Sequence, residues 1–174
     1  MSFVFSRSSI EMAAIGICTG VINAYIFSEA RNEDARMYLP GIVFGLCSAF
    51  YFSKYVPRRA RVIKALFWTA ICLISFKFAV TGGILIAGRN ISLAVMIAGL
   101  IGGTILLLGF KPLFVPSISV KVKTAAMFLG LSTTIPIVGV FLHAGNLEPG
   151  FSLWVSIFVL WQTAVLLMLG RNFG

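Results

Sequence analysis

The sequence predicts an all-α, polytopic integral membrane bundle of six transmembrane helices with both termini inside, and three observations carry that prediction. Hydrophobic residues make up 59 % of the 174 and charged residues only 11 %, against about a quarter charged in ordinary soluble domains, and mean hydropathy is +1.01. The apolar residues fall in runs near the ~20-residue length that crosses roughly 30 Å of hydrocarbon. Charges, prolines and glycines collect between those runs. A soluble domain of this size must cover its outside with polar groups, so lipid is the solvent this surface requires.

The first span, 10–28, ends at the charged stretch Glu29, Arg31, Glu33, Asp34 and Arg36. The second, 38–55, carries Pro40 near its start, where a first-turn residue needs no N–H donor. From Ala65 to Phe110 the chain is nearly all apolar. As one helix it would extend about 70 Å, more than twice the hydrocarbon thickness, so it must turn. Gly88-Arg89-Asn90 is the natural place, because glycine ends helices and asparagine tolerates turns. The third and fourth spans are then 65–87 and 91–110, the fourth stopped by Lys111, Pro112 and Pro116. The fifth is 124–144, followed by Gly145, Asn146, Glu148, Pro149 and Gly150, and the sixth is 152–169. No linker or low-complexity tract divides the chain, which reads as one transmembrane domain, 1–174.

Orientation follows from the basic residues in alternate connections, since Lys and Arg favour the cytoplasmic side. One side collects 10 of them: Arg7, Lys54, Arg58, Arg59, Arg61, Lys64, Lys111, Lys121, Lys123 and Arg171. The other holds 3, Arg31, Arg36 and Arg89. Both termini are expected in the cytoplasm, in a plasma or bacterial inner membrane. The first span has a weak n-region and no good cleavage site at Ser28-Glu29-Ala30, so it reads as a retained anchor rather than a signal peptide. Asn90-Ile91-Ser92 fits the glycosylation pattern but abuts two spans, and we treat it as a chance match.

The net charge of +9 and pI near 10.0 do not indicate a nucleic-acid partner. Such a protein gathers its basic residues on a folded polar face, whereas here they punctuate apolar runs. Cys18, Cys47 and Cys72 lie far apart with no CxxC spacing and read as small core residues.

Glycines four apart occur at Gly16/Gly20, Gly41/Gly45 and Gly99/Gly103. This spacing lets a neighbouring backbone approach one helix face, within the chain or between copies. Ile84–Asn90 and Leu166–Asn172 end alike, and Pro40 with Ile42-Val43 in the second span resembles Pro136 with Ile137-Val138 in the fifth, but the two offsets differ by more than ten residues, which argues against an inverted repeat.

Chemistry-bearing residues are few. The one histidine, His143, lies about 16 Å along its helix from Ser132. No metalloprotease, nucleophile-elbow, P-loop or dinucleotide pattern occurs, and the acids Glu11, Glu29, Glu33, Asp34 and Glu148 form no intramembrane pair. No catalytic residue, metal site or cofactor is expected.

Lys77 stands out, because a lysine at mid-bilayer costs about 2.5–3.5 kcal/mol. Counted by helical rise, Asn23, Ser132, Thr133, Thr134 and Gln162 fall at comparable depth, and Thr81 shares a face with Lys77. Pro136 leaves the carbonyl of Ser132 without its helical donor. A midplane polar site of Asn23, Lys77, Thr81, Ser132, Thr133, Thr134 and Gln162 for an anion, a polar solute or a proton relay is one expectation; the other is structural, an internal hydrogen-bond network that fixes the packing or a lysine facing a partner subunit's carboxylate. Lys54, Arg58, Arg59, Arg61 and Lys64 are candidates for contact with anionic headgroups on the cytoplasmic side. Val120 and Val122 alternate with Lys121 and Lys123, the pattern of an extended interfacial segment. Trp68, Trp154 and Tyr38 read as belt aromatics and Trp161 as packing.

The functional expectation is a non-enzymatic membrane protein that packs within a membrane complex or homo-oligomer, with membrane lipids and a second copy or partner subunit as its neighbours. The alternative is a small transporter or channel using the Lys77 layer, and a membrane-embedded enzyme comes third.

Overall fold

A computed structural model describes residues 7–87, 90–114, 122–142 and 151–170. Those residues form six α-helices and one short 3₁₀ turn, with no strand among them: α1 (Arg7–Glu29), α2 (Glu33–Ser53), the 3₁₀ turn Arg58–Ala60, α3 (Arg61–Ala87), α4 (Ile91–Phe114), α5 (Val122–Phe141) and α6 (Phe151–Gly170). Five are long and apolar enough to cross a membrane, and α5 contributes the shorter apolar run Ala125–Phe141.

Two helix boundaries differ from expectation for physical reasons. The second helix begins at Glu33, not at 38, because the charged stretch is itself a built turn: the Asn32 side chain accepts from the N–H of Asp34 at 2.8 Å. Glu33 and Asp34 then occupy the first turn, where negative charge suits the helix dipole. Arg36 Nε donates to the carbonyl of Ala30 at 2.5 Å and so closes the end of α1. Pro40 consequently sits two turns inside α2 and not in its first turn. The fourth helix runs through Lys111 and Pro112 to Phe114. One ladder bond is lost at the proline, but the extra turn buries Phe114 against Phe110, Phe52 and Trp68. Of the expected extended segment, Val122 and Lys123 belong to α5; Lys121 and Val120 lie outside the described residues, as do Gly88 and Arg89, His143 to Gly150, and Arg171.

The helices form an antiparallel ring. Each packs on its sequence neighbour, and α1 closes on α6. Register along that closing pair runs from Met12 against Gly170, through Gly16 at Thr163 and Gly20 at Val159, to Tyr25 against Phe151. A methyl group on Gly20 would lie 2.5 Å from the Val159 Cα. That is why the position is glycine: the backbones gain dispersion contacts that a side chain would forbid, in a solvent that offers no hydrophobic drive. Gly41/Gly45 take the same part against α3, and Gly99/Gly103 against α5. All three glycine pairs are therefore occupied inside the bundle.

Because successive helices alternate in direction, the start of α1, the end of α2, the start of α3 and the ends of α4 and α6 meet at one end. Lys54 pairs with Glu11 there at 2.7 Å, and Lys64 donates to the carbonyl of Leu113. Lys54, Arg58, Arg59, Arg61, Lys64 and Lys111 thus share one end of the ring, and Arg31 and Arg36 belong to the other. Outward faces are apolar, with Phe50, Val62, Leu85 and Leu108 each at least 70 % exposed.

Two aromatic clusters sit within the ring. At the basic end Phe52, Trp68, Phe110 and Phe114 pack edge to face or tilted with centroids 5.0–6.2 Å apart, arrangements that aromatic quadrupoles favour. Trp68, expected in the interfacial belt, is fully buried, and its indole N–H donates to Ser48 Oγ at 2.8 Å. At the opposite end Phe27, Phe76, Trp154 and Phe158 form the second cluster. Of the cysteines, only Cys72 is in the core; Cys18 and Cys47 face outward.

Candidate functional site

The residues expected to form a midplane polar site do not converge. Lys77 lies on the outward stripe of α3 with Phe67, Ile74 and Phe78, whereas Trp68, Cys72, Ser75, Phe76 and Ala79 face the ring interior. Counting residues gives a side chain's depth and not its direction around the helix, and one residue's 100° turn carries Lys77 from the interior to the lipid face. Its ammonium donates to Tyr38 Oη at 2.6 Å and lies 4.8 Å from the centre of that ring. An outward cation on an aromatic face contributes about 0.5–1 kcal/mol. Lys77→Met is accordingly expected to shift stability by no more than about 1 kcal/mol, read from reversible unfolding in mixed micelles; a loss of several kcal/mol would place the ammonium in the core.

Asn23 is fully buried and donates through Nδ2 to the carbonyl of Pro40 at 3.0 Å, tying α1 to α2. By register it lies about 9 Å along the axis from Gln162. Thr133 and Thr134 donate to the carbonyls of Leu129 and Gly130 in their own helix, and Thr81 is half-buried beside Lys77. Ser132 is buried. The carbonyl that Pro136 frees on it abuts Gly99, where the missing side chain leaves room for a Cα–H contact.

Three of the expected or neighbouring residues do share a level. Ser132 and Trp161 approach successive glycines of α4, Gly103 and Gly102, and Gln162 follows Trp161. Ser132 Oγ, Trp161 Nε1 and both amide atoms of Gln162 are buried without a hydrogen-bonding partner among the described residues. An unpartnered buried group costs about 1–3 kcal/mol. Replacing the amide with hydrocarbon in Gln162→Leu is therefore expected to stabilise the bundle by about that amount, as a rise in the unfolding midpoint. A fall in the midpoint would show the amide to be satisfied.

Above that level, toward the α1–α2 turn, the ring holds a cavity of about 260 Å³. Its floor is Trp161, its sides are Phe76, Phe158, Ala79, Ala98 and Gly99, and Phe27, Trp154 and Ile84 lie toward its other end. Sequence reading missed it, because an apolar residue within a span looks the same whether it faces lipid or a void. The available signal was the small residues four apart on two successive helices, Ala79/Gly83 and Ala94/Ala98, which together remove side-chain volume from the space between α3, α4 and α6. Below the floor a second void of about 10 Å³ lies between Phe44, Cys72, Ser75 and Leu106. Beneath that the basic-end aromatic cluster fills the interior.

Of the residues considered for anionic lipid, Lys54 is paired with Glu11 and lies 3.7 Å from the centre of the Tyr51 ring. Arg61 donates to the carbonyl of Val56 at 3.0 Å and Lys64 to that of Leu113. Arg58 and Arg59 are exposed on the 3₁₀ turn. Among the described residues no three His, Cys, Asp or Glu side chains converge on a common point.

Comparison with protein-family models, with curated proteins and with solved structures found no match.

Proposed function

We propose that this chain is a non-enzymatic, six-span integral membrane protein with both termini in the cytoplasm, and that it acts by holding an apolar molecule inside its helical ring. The observation that carries the proposal is the cavity of about 260 Å³ between α3, α4 and α6. It exceeds the ~150 Å³ apolar void that takes up benzene and approaches the ~300 Å³ at which ligand pockets begin. A subunit that served only to pack against a partner needs no such space, which is why the binding role is preferred to the assembly role. Support for the cytoplasmic termini comes from the positive-inside asymmetry and from the basic residues gathered at the end where α1 begins and α6 finishes. The polar-solute reading loses its motive, since Lys77 faces outward and the cavity walls are hydrocarbon.

Photolabelling with an alicyclic hydrocarbon diazirine tests the proposal in native membranes. Ala79, Ala98 and Ile157, which line the cavity, should be labelled in addition to the outward faces, and Ala98→Phe, which fills the space, should remove label from Ala79 and Ile157. Labelling confined to outward residues such as Leu108 would overturn it.

A further inference from the structure

The cavity's shape and position narrow the class of occupant, an inference that rests on the binding role proposed above. We infer that it holds a single acyl chain of a membrane lipid, inserted tail-first from the end that carries the α1–α2 turn.

Length comes first. Trp154 to Trp161 on α6 and Phe76 to Ile84 on α3 span about 10–12 Å at 1.5 Å per residue. A void of about 260 Å³ lined over that length is narrow, suited to one hydrocarbon chain and not to a bulky ligand. An occupant of that shape lies along the ring axis, with its tip on Trp161.

Chemistry comes second. The lining side chains are aliphatic or aromatic, with Trp154 and Trp161 the only ones bearing a polar atom, and Trp161 Nε1 is buried. A headgroup placed inside would lose its hydrogen bonds to water without replacement. A hydrocarbon tail loses nothing on leaving the bilayer, because the lipid interior is already apolar. What it gains is dispersion contact with the aromatic walls, which an unfilled cavity forgoes.

Position comes third. The far end of the cavity is marked by Phe27, two residues before Glu29, and the turn beyond carries Glu29, Arg31, Glu33, Asp34 and Arg36. An amphiphile with its tail on Trp161 keeps its head at this charged turn. At the opposite end the packed ring of Phe52, Trp68, Phe110 and Phe114 blocks insertion from the basic side.

Trp161 supplies the reporter. It is 8 % exposed and out of reach of chains in the surrounding bilayer, so bromine on an acyl chain quenches it only from within the cavity. The test uses the W68F/W154F variant, which keeps Trp161 as the sole tryptophan, in vesicles of phosphatidylcholine brominated near the end of one acyl chain. Emission should fall roughly two-fold or more relative to unbrominated vesicles, since contact quenching needs van der Waals approach, and Ala98→Phe in the same background should restore it. Equal emission in the two vesicle types, or quenching that Ala98→Phe leaves unchanged, would overturn the acyl-chain inference. The two proposals fail separately. Diazirine label at Ala79 with Trp161 unquenched means an apolar ligand other than a lipid chain, whereas label confined to the outward faces removes the binding role itself. If the W68F/W154F variant does not fold, W68F alone, with Trp154 and Trp161 resolved by their emission wavelengths, gives the same reading.

Discussion

Gly20→Leu is expected to destabilise the bundle by about 3 kcal/mol or more and to separate α1 from α6. Even a methyl group at this position would meet the Val159 Cα at 2.5 Å and its backbone nitrogen at 2.7 Å, and backbone cannot rotate aside as the end of a flexible side chain does. The only relief is to move the helices apart. That forfeits the close contact along the whole pair, from Met12 at Gly170 to Tyr25 at Phe151. Gly20→Ala should cost about 1–3 kcal/mol for the same reason. The measurement is reversible unfolding in mixed micelles, with Leu108→Ala on the outward face as the control, expected within about 0.5 kcal/mol of the parent. A Gly20→Leu protein as stable as the parent would mean that α1 does not close the ring.

Trp68→Ala should be the second large loss, about 3 kcal/mol. In water the removal of a buried tryptophan costs 3–5 kcal/mol, roughly, through lost transfer energy plus the cavity left behind. In a bilayer the unfolded helices remain in lipid, so the transfer part largely disappears and the packing part remains. That part is substantial here. The ring contacts Phe52, Phe110 and Phe114 at centroid distances of 5.5–6.2 Å, and its N–H satisfies Ser48. Trp68→Phe keeps most of the packing and loses the hydrogen bond, for an expected cost of about 1 kcal/mol. The same mixed-micelle titration separates the two variants. Equal losses for alanine and phenylalanine would show that the hydrogen bond, and not the aromatic packing, carries the site.

Much of the architecture was legible because a bilayer imposes length. The break between the third and fourth helices was legible because one helix from 65 to 110 would be about twice too long for the hydrocarbon, and the charged residues at 29–36 marked the end of the first. The three glycine pairs announced close helix contacts, although spacing alone did not say whether the partner was another helix of the same chain. What was not legible was direction around each helix axis. In a soluble protein the polar face reveals it, but here both the outward and the ring-facing sides are apolar, so counting along α3 could not show that Lys77 lies on its outward stripe. Trp68 was misjudged by the same logic, from nearness to a predicted interface. The cavity escaped notice because it is made of residues that are ordinary within a membrane span; only their joint smallness, as at Ala79, Gly83 and Ala98, distinguishes them.

The proposed topology requires an even number of crossings, and α5 is the helix on which that count depends, with its apolar run of Ala125–Phe141. Single cysteines at Arg31, Arg59, Lys111 and Ser152, in a background lacking Cys18, Cys47 and Cys72, report it directly through an impermeant maleimide added to intact cells. Labelling at positions 31 and 152 with protection at 59 and 111 is the predicted result. Protection at 152 alongside labelling at 31 would remove α5 as a crossing and contradict the six-helix membrane ring.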